Sequence, residues 1–140
     1  MCVMTTPTMA PWNLGLRFGL ELAALAGFGI AAWRLTDGVW RWPAVIGVPL
    51  AAAVVWGVFN VPGDPSRSGE APIAVPGAVR LAIELTTLGG GAAAFILSGP
   101  RPVGITLAVT VVFHYAMSID RIDWLLGRRR SGPAQTANRL

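Results

Sequence analysis

Two pairs of ionisable residues recur at one spacing inside apolar stretches of the chain: Arg17 with Glu21, and Arg80 with Glu84, 63 positions further on. The single histidine, His114, belongs to a stripe in which Thr106, Thr110, His114 and Ser118 follow every four residues, with Arg121 one further turn along. Carboxylate, guanidinium and imidazole groups gathered in one buried layer can take up, hold and release protons. The same groups can instead tie helices together, because charges are costly in hydrocarbon and pair with one another inside a bundle. Arg17, Glu21, Arg80, Glu84 and His114 are therefore the candidate buried polar layer, and Thr106, Thr110 and Ser118 the polar stripe on the same helix as His114. Within each helix arginine precedes glutamate at i and i+4, the less favourable order for an intrahelical pair. Cross-pairing is predicted in its place, Arg17 with Glu84 and Arg80 with Glu21.

The elements that position these residues follow from composition. Hydrophobic residues make up 54% of the chain and charged residues 13%, and the mean hydropathy is +0.58. This is too apolar for an ordinary soluble domain and, with the apolar residues in long blocks, predicts an integral membrane protein. Pro11, Pro43, Pro76 and Pro102 stand where apolar runs begin, and Gly38, Gly63, Gly99 and Gly127 shortly after runs end. Proline suits a helix's first turn and glycine its termination. Four helices are predicted, at 11–35, 43–61, 76–98 and 102–126, each long enough for a hydrocarbon core of about 30 Å. Pro49 should weaken the second locally. The six tryptophans lie near proposed helix ends and read as interface anchors.

At an offset of 63, Arg17, Glu21, Leu22, Leu25, Gly27 and Ala31 match Arg80, Glu84, Leu85, Leu88, Gly90 and Ala94. The repeat predicts an all-α, four-helix membrane bundle of two duplicated hairpins over residues 1–126, followed by a basic, disordered cytoplasmic tail at 127–140. Small residues at Gly15, Gly19, Ala23 and Gly27, and at Ala78, Ala82, Thr86, Gly90 and Ala94, form rows that admit close helix approach. Eight arginines fall on the side of the termini and middle loop and three, Arg34, Arg41 and Arg101, on the other. That asymmetry predicts both termini in the cytoplasm of a bacterial inner membrane. Counted from Trp12 and Trp124, Glu21 and His114 lie at a common depth of about 13 to 15 Å.

Several function classes lose support. Basic residues are scattered at segment ends and in the tail, which topology explains without nucleic acid. Cys2, Met4 and Met9 are sulfur ligands without a fixed frame, so no metal is expected, nor any cofactor. No cleavable signal peptide is visible. With no metal-spaced cluster, phosphate-cradling loop or nucleophile triad, the chain is not expected to be an enzyme. Small multidrug exporters also have four helices and a glutamate in the first, but the arginine asymmetry argues against their dual topology.

The opening Leu-Arg-x-x-x-Glu-Leu-Ala-Ala-Leu at 16–25, the run from Gly47 through Pro49, Trp56 and Gly57 to Phe59, and Val-Arg-Leu-Ala-Ile-Glu-Leu at 79–85 resemble the YrdB-like family of small bacterial membrane proteins. The resemblance spans about residues 13–115 and matches Arg17, Glu21, Trp56, Gly57, Arg80 and Glu84 to the family pattern. It implies a compact multi-helix inner-membrane protein and brings no activity with it. The expectation is a non-catalytic membrane scaffold or interaction protein whose partners are the lipid bilayer and a second copy or another membrane protein. A small proton-coupled transporter or regulator is the alternative.

Overall fold

The computed structural model describes residues 8–68 and 70–127. Cys2, Met4 and the tail from Arg128 onward lie outside them. The chain is mostly helical: α1 Pro11–Leu35, a short 3-10 turn Gly38–Trp40, α2 Arg41–Val58, α3 Gly77–Ser98, α4 Arg101–Ala116 and α5 Ile119–Leu125. Pro11 opens α1, and Pro100 and Pro76 stand as N-caps of α4 and α3. At these positions the missing N–H takes nothing from the helical ladder. Gly63 and Gly127, with φ of 77° and 65°, make the left-handed turns after α2 and α5.

Two departures from the sequence expectation matter for the site. The helix expected over 102–126 is broken at Met117 and Ser118, and α4 and α5 are bent by 72°. The segment between α2 and α3 is closed by a two-residue parallel bridge, β1 Phe59–Asn60 against β2 Ile73–Ala74. The loop thus leaves and re-enters the fold at one point and folds over the end of the helices.

α1 and α3 form the central pair. α2 packs mainly against α1 and α4 mainly against α3, and α2 scarcely meets α4. The apolar core joins Leu20 and Ala24 of α1, Leu88, Ala92 and Phe95 of α3, Leu107, Val111 and Tyr115 of α4, and Trp56 of α2. Close approach of α1 and α3 runs through Ala24, Gly27 and Gly91, where a Cβ on either glycine would strike the opposite backbone. Gly15 and Gly19, expected in the same packing row, have nothing within 4 Å of a Cβ position. α1, α2 with its 3-10 turn, and α3 are each long and apolar enough to cross a membrane, and the bent α4–α5 pair passes the same test. Only Trp56 of α2 is buried, and Trp42, Ile46, Leu50 and Val54 along it are exposed.

Candidate functional site: a buried arginine-carboxylate knot

Glu84, two turns inside α3, has no solvent exposure. Three guanidinium groups converge on it. Arg17 of α1 donates Nη2 to Oε1 at 2.7 Å, and Arg80, one turn earlier on α3, donates Nε to the same oxygen at 2.9 Å. Arg121 of α5 donates Nη2 to Oε1 at 2.7 Å and Nη1 to Oε2 at 2.9 Å, and the Tyr115 hydroxyl adds a bond to Oε2 at 3.0 Å. Five donors meet about four lone-pair sites, so the carboxylate is fully engaged.

Two of these arginines also answer a second demand. Arg80 Nη1 donates to the backbone carbonyls of Trp56 at 2.7 Å and Phe59 at 2.6 Å, capping the last turn of α2, where carbonyls lack intrahelical donors. Arg121 forks onto Asp64 of the loop, Nε to Oδ1 at 2.9 Å and Nη2 to Oδ2. Asp64 is 1% exposed and also accepts the Ser66 N–H and hydroxyl. Burial alone would raise its pKa, but the hydrogen bonds and charge of Arg121 outweigh that and hold it below the usual 3.8. The Trp56 ring lies against this group, with the guanidinium carbons of Arg80, Arg17 and Arg67 at 4.7, 5.0 and 5.8 Å from its centroid. One glutamate thus ties α1, α3, α4 and α5 directly, and α2 and the loop through its arginines.

A second, smaller network lies beside it. Asn13 of α1 donates Nδ2 to Ser118 Oγ at 2.9 Å, and its Oδ1 lies 2.7 Å from His114 Nδ1. With the amide nitrogen spent on Ser118, the oxygen faces the imidazole, so Nδ1 carries the ring proton. His114 Nε2 is buried without a partner among the described residues.

The chain matches, over residues 15–112, a family described as "Protein of unknown function (DUF2568)". It belongs to that family. A relative in Bacillus subtilis (strain 168), "Uncharacterized protein YrdB", is 44% identical over 116 residues, which cover 83% of this chain and 94% of the relative. No solved structure matches significantly. The stretch shared with the family holds Arg17, Glu21, Trp56, Asp64, Arg80 and Glu84, and ends before His114, Tyr115, Ser118 and Arg121.

Of the residues singled out from sequence, Arg17, Arg80, Glu84, His114 and Ser118 are buried. Glu21 stands at the edge, its side chain 22% exposed, paired with Arg17 Nε at 3.4 Å. The Arg17–Glu84 cross-pair is present; the Arg80–Glu21 pair is not found among the described residues, because Arg80 meets Glu84 on its own helix. The polar stripe is divided. Thr106 is exposed and Thr110 bonds back to its carbonyl at 2.7 Å, whereas His114 and Ser118 turn inward, so no continuous polar track runs along α4. His114 stands two residues before the end of α4, so the depth counted from Trp124 along one straight helix does not apply. Trp56 is 5% exposed and is a plate beneath the arginines, unlike the exposed Trp12, Trp33, Trp40 and Trp42. Sequence reading missed Asp64, Tyr115 and Asn13, and placed Arg121 one turn beyond the polar stripe and among the arginines that set topology, without a partner. Asp64-Pro65-Ser66 did carry a signal as an Asx turn, though nothing in it named Arg121 as the partner.

Proposed function

We propose that the chain is a four-span protein of the bacterial cytoplasmic membrane, built from two related hairpins with both termini inside, and that it is a non-catalytic scaffold or interaction protein. The central α1–α3 pair with α2 and α4 outside it suits two hairpins related about an axis between α1 and α3. Arg17, Arg80, Asp64 and Arg121 all stand near the helix ends that share a side with the middle loop, the side that carries most arginines. The saturated Glu84 carries the reading: with five donors on its oxygens it fixes elements in place and has no vacant lone pair to offer a travelling proton.

The discriminating experiment is proton movement in vesicles reconstituted with the full chain and loaded with a pH-sensitive dye. Flux no greater than in empty vesicles is expected for the wild type, Glu21→Gln and His114→Ala. A pH-gradient decay that disappears in either variant would establish the proton-coupled alternative. Topology is checked with a membrane-impermeant thiol reagent on a Cys2→Ser background: Val39→Cys should label from outside the cell and Ser68→Cys only after permeabilisation.

A further inference from the structure

Beside the knot, between α1 and the loop, opens a cleft of about 360 Å³ lined by Leu14, Arg17, Phe18, Glu21 and the segment from Pro65 to Ser68. Arg17 is 1% exposed, yet only its Nη2 is spent on Glu84. Its Nη1 has no hydrogen-bond partner among the described residues, and neither has its Nε, which has only the longer approach to Glu21. Arg67, on the opposite wall, likewise has a buried Nε without a partner. Buried guanidinium N–H groups seldom stay unpaired, since each forgoes bonds it had in water. The charge balance has the same sign: Arg17, Arg67, Arg80 and Arg121 face Glu21, Asp64 and Glu84, leaving one positive charge over.

We infer that this cleft binds a phosphate group, held by the free edge of the Arg17 guanidinium and by Arg67, with the exposed Ser68 hydroxyl at the rim. Two guanidinium forks approaching from opposite walls suit the several oxygens of a phosphate. Ser66 does not contribute a donor, because its hydroxyl is committed to Asp64. Glu21 is the competitor. It occupies one edge of Arg17 through a long contact, and being partly exposed it can swing outward when a stronger anion enters. Leu14 and the exposed Phe18 on the outer wall give the same cleft an apolar side, on which the chains of a phospholipid could rest. The inference does not depend on the scaffold reading, since it concerns a binding site and would hold for a carrier as well.

The test uses the full chain purified in a neutral detergent and titrated in parallel with inorganic phosphate and with short-chain phosphatidylglycerol, thermal stability and native mass spectra being the readouts. Saturable stabilisation by at least one is expected, weakened roughly tenfold in Arg67→Gln and strengthened several-fold in Glu21→Gln. A response to the lipid alone identifies a headgroup, and a response to inorganic phosphate a free anion. No saturable response to either, or responses unchanged in both variants, would overturn the assignment. Because the two substitutions are predicted to act in opposite directions, a general loss of folding cannot mimic the result.

Discussion

Glu21 and Glu84 occupy the same place in a repeated sequence pattern, yet the structure gives them unequal work, and the difference can be measured. Glu84→Gln keeps the side chain's shape while removing its charge and turning one acceptor into a donor. Three buried guanidinium groups then lose their common partner. Arg121 keeps Asp64, but Arg80 retains only two carbonyls and Arg17 only the long contact to Glu21. Removing one member of a buried ion pair costs about 3–5 kcal/mol, and with three partners affected the upper end, about 5 kcal/mol, is expected. That is comparable with the whole stability of a marginal domain. At roughly 3–4 °C per kcal/mol for a chain of this size, the melting temperature in detergent should fall by about 15 °C or more. Glu21→Gln removes a single 3.4 Å contact at a partly exposed site, and less than about 1 kcal/mol is expected. Thermal unfolding followed by tryptophan fluorescence reads both variants, with refolding on cooling as a check on reversibility. Equal losses for the two glutamates, or a Glu84→Gln protein within a few degrees of wild type, would refute the reasoning that one carboxylate organises the knot.

Three further outcomes are expected. Gly91→Ala should destabilise by about 1–3 kcal/mol through overpacking, because its Cβ would overlap Ala24 across the α1–α3 contact, whereas Gly19→Ala, with open space around it, should be neutral or slightly stabilising; paired thermal melts decide. Asp64→Asn should cost about 3 kcal/mol near neutral pH, the lower end for losing one member of a buried ion pair, because Arg121 keeps Glu84. Since the folded-state pKa lies below 3.8, the wild-type carboxylate contributes fully above that value and its contribution fades as pH falls through the folded pKa, so the variant's deficit should shrink in acid, as melts at about pH 7 and pH 3 would show. Trp56→Phe keeps a ring beneath Arg17 and Arg80 and should lose about 1 kcal/mol, while Trp56→Leu, which removes the π face, should lose about 2–3 kcal/mol; equal losses would mean that area alone matters.

What could be read from sequence divides along the range of the interactions. The starts of α1 and α3 are marked by Pro11 and Pro76, and the burial of Arg17 and Glu84 follows from the cost of charge in an apolar helix, both being properties of short windows. The choice of partner is not, since the same reasoning that paired Arg17 with Glu84 also paired Arg80 with Glu21, whereas Arg80 meets Glu84. The break between α4 and α5 has no such marker: neither Pro nor Gly stands at Met117 and Ser118, so an apolar run through that point reads as one helix. Asp64 was hidden for a related reason. A charged residue amid Pro, Gly and Ser signals a solvated loop, and only the bridge of Phe59–Asn60 with Ile73–Ala74 folds that loop onto the helix ends. The inequality of Glu21 and Glu84 was likewise invisible, since their flanking residues match and what separates them is Arg121 and Tyr115, contributed from the far end of the chain.

The bend is what allows Arg121 to take part. In a continuous helix it would lie seven residues beyond His114 on nearly the same face, about 10 Å further along the axis and past the end of α3's first turns. Turned by 72°, α5 crosses that end instead, and Arg121 reaches both Glu84 and Asp64. Asn13 spans the break, bonding Ser118 on one side and His114 on the other, so a side chain from the first helix helps decide where the fourth one stops. A buried ionic cluster is often no more stabilising than apolar residues of equal volume. Its directional bonds can nevertheless be satisfied in far fewer arrangements than an apolar core allows. In a chain whose helices present apolar faces on nearly every side, and whose glycine row leaves Gly15 and Gly19 unpacked, many registers would bury similar area. The contacts from α1, α3, α4, α5 and the loop to Glu84 and its arginines favour one of them.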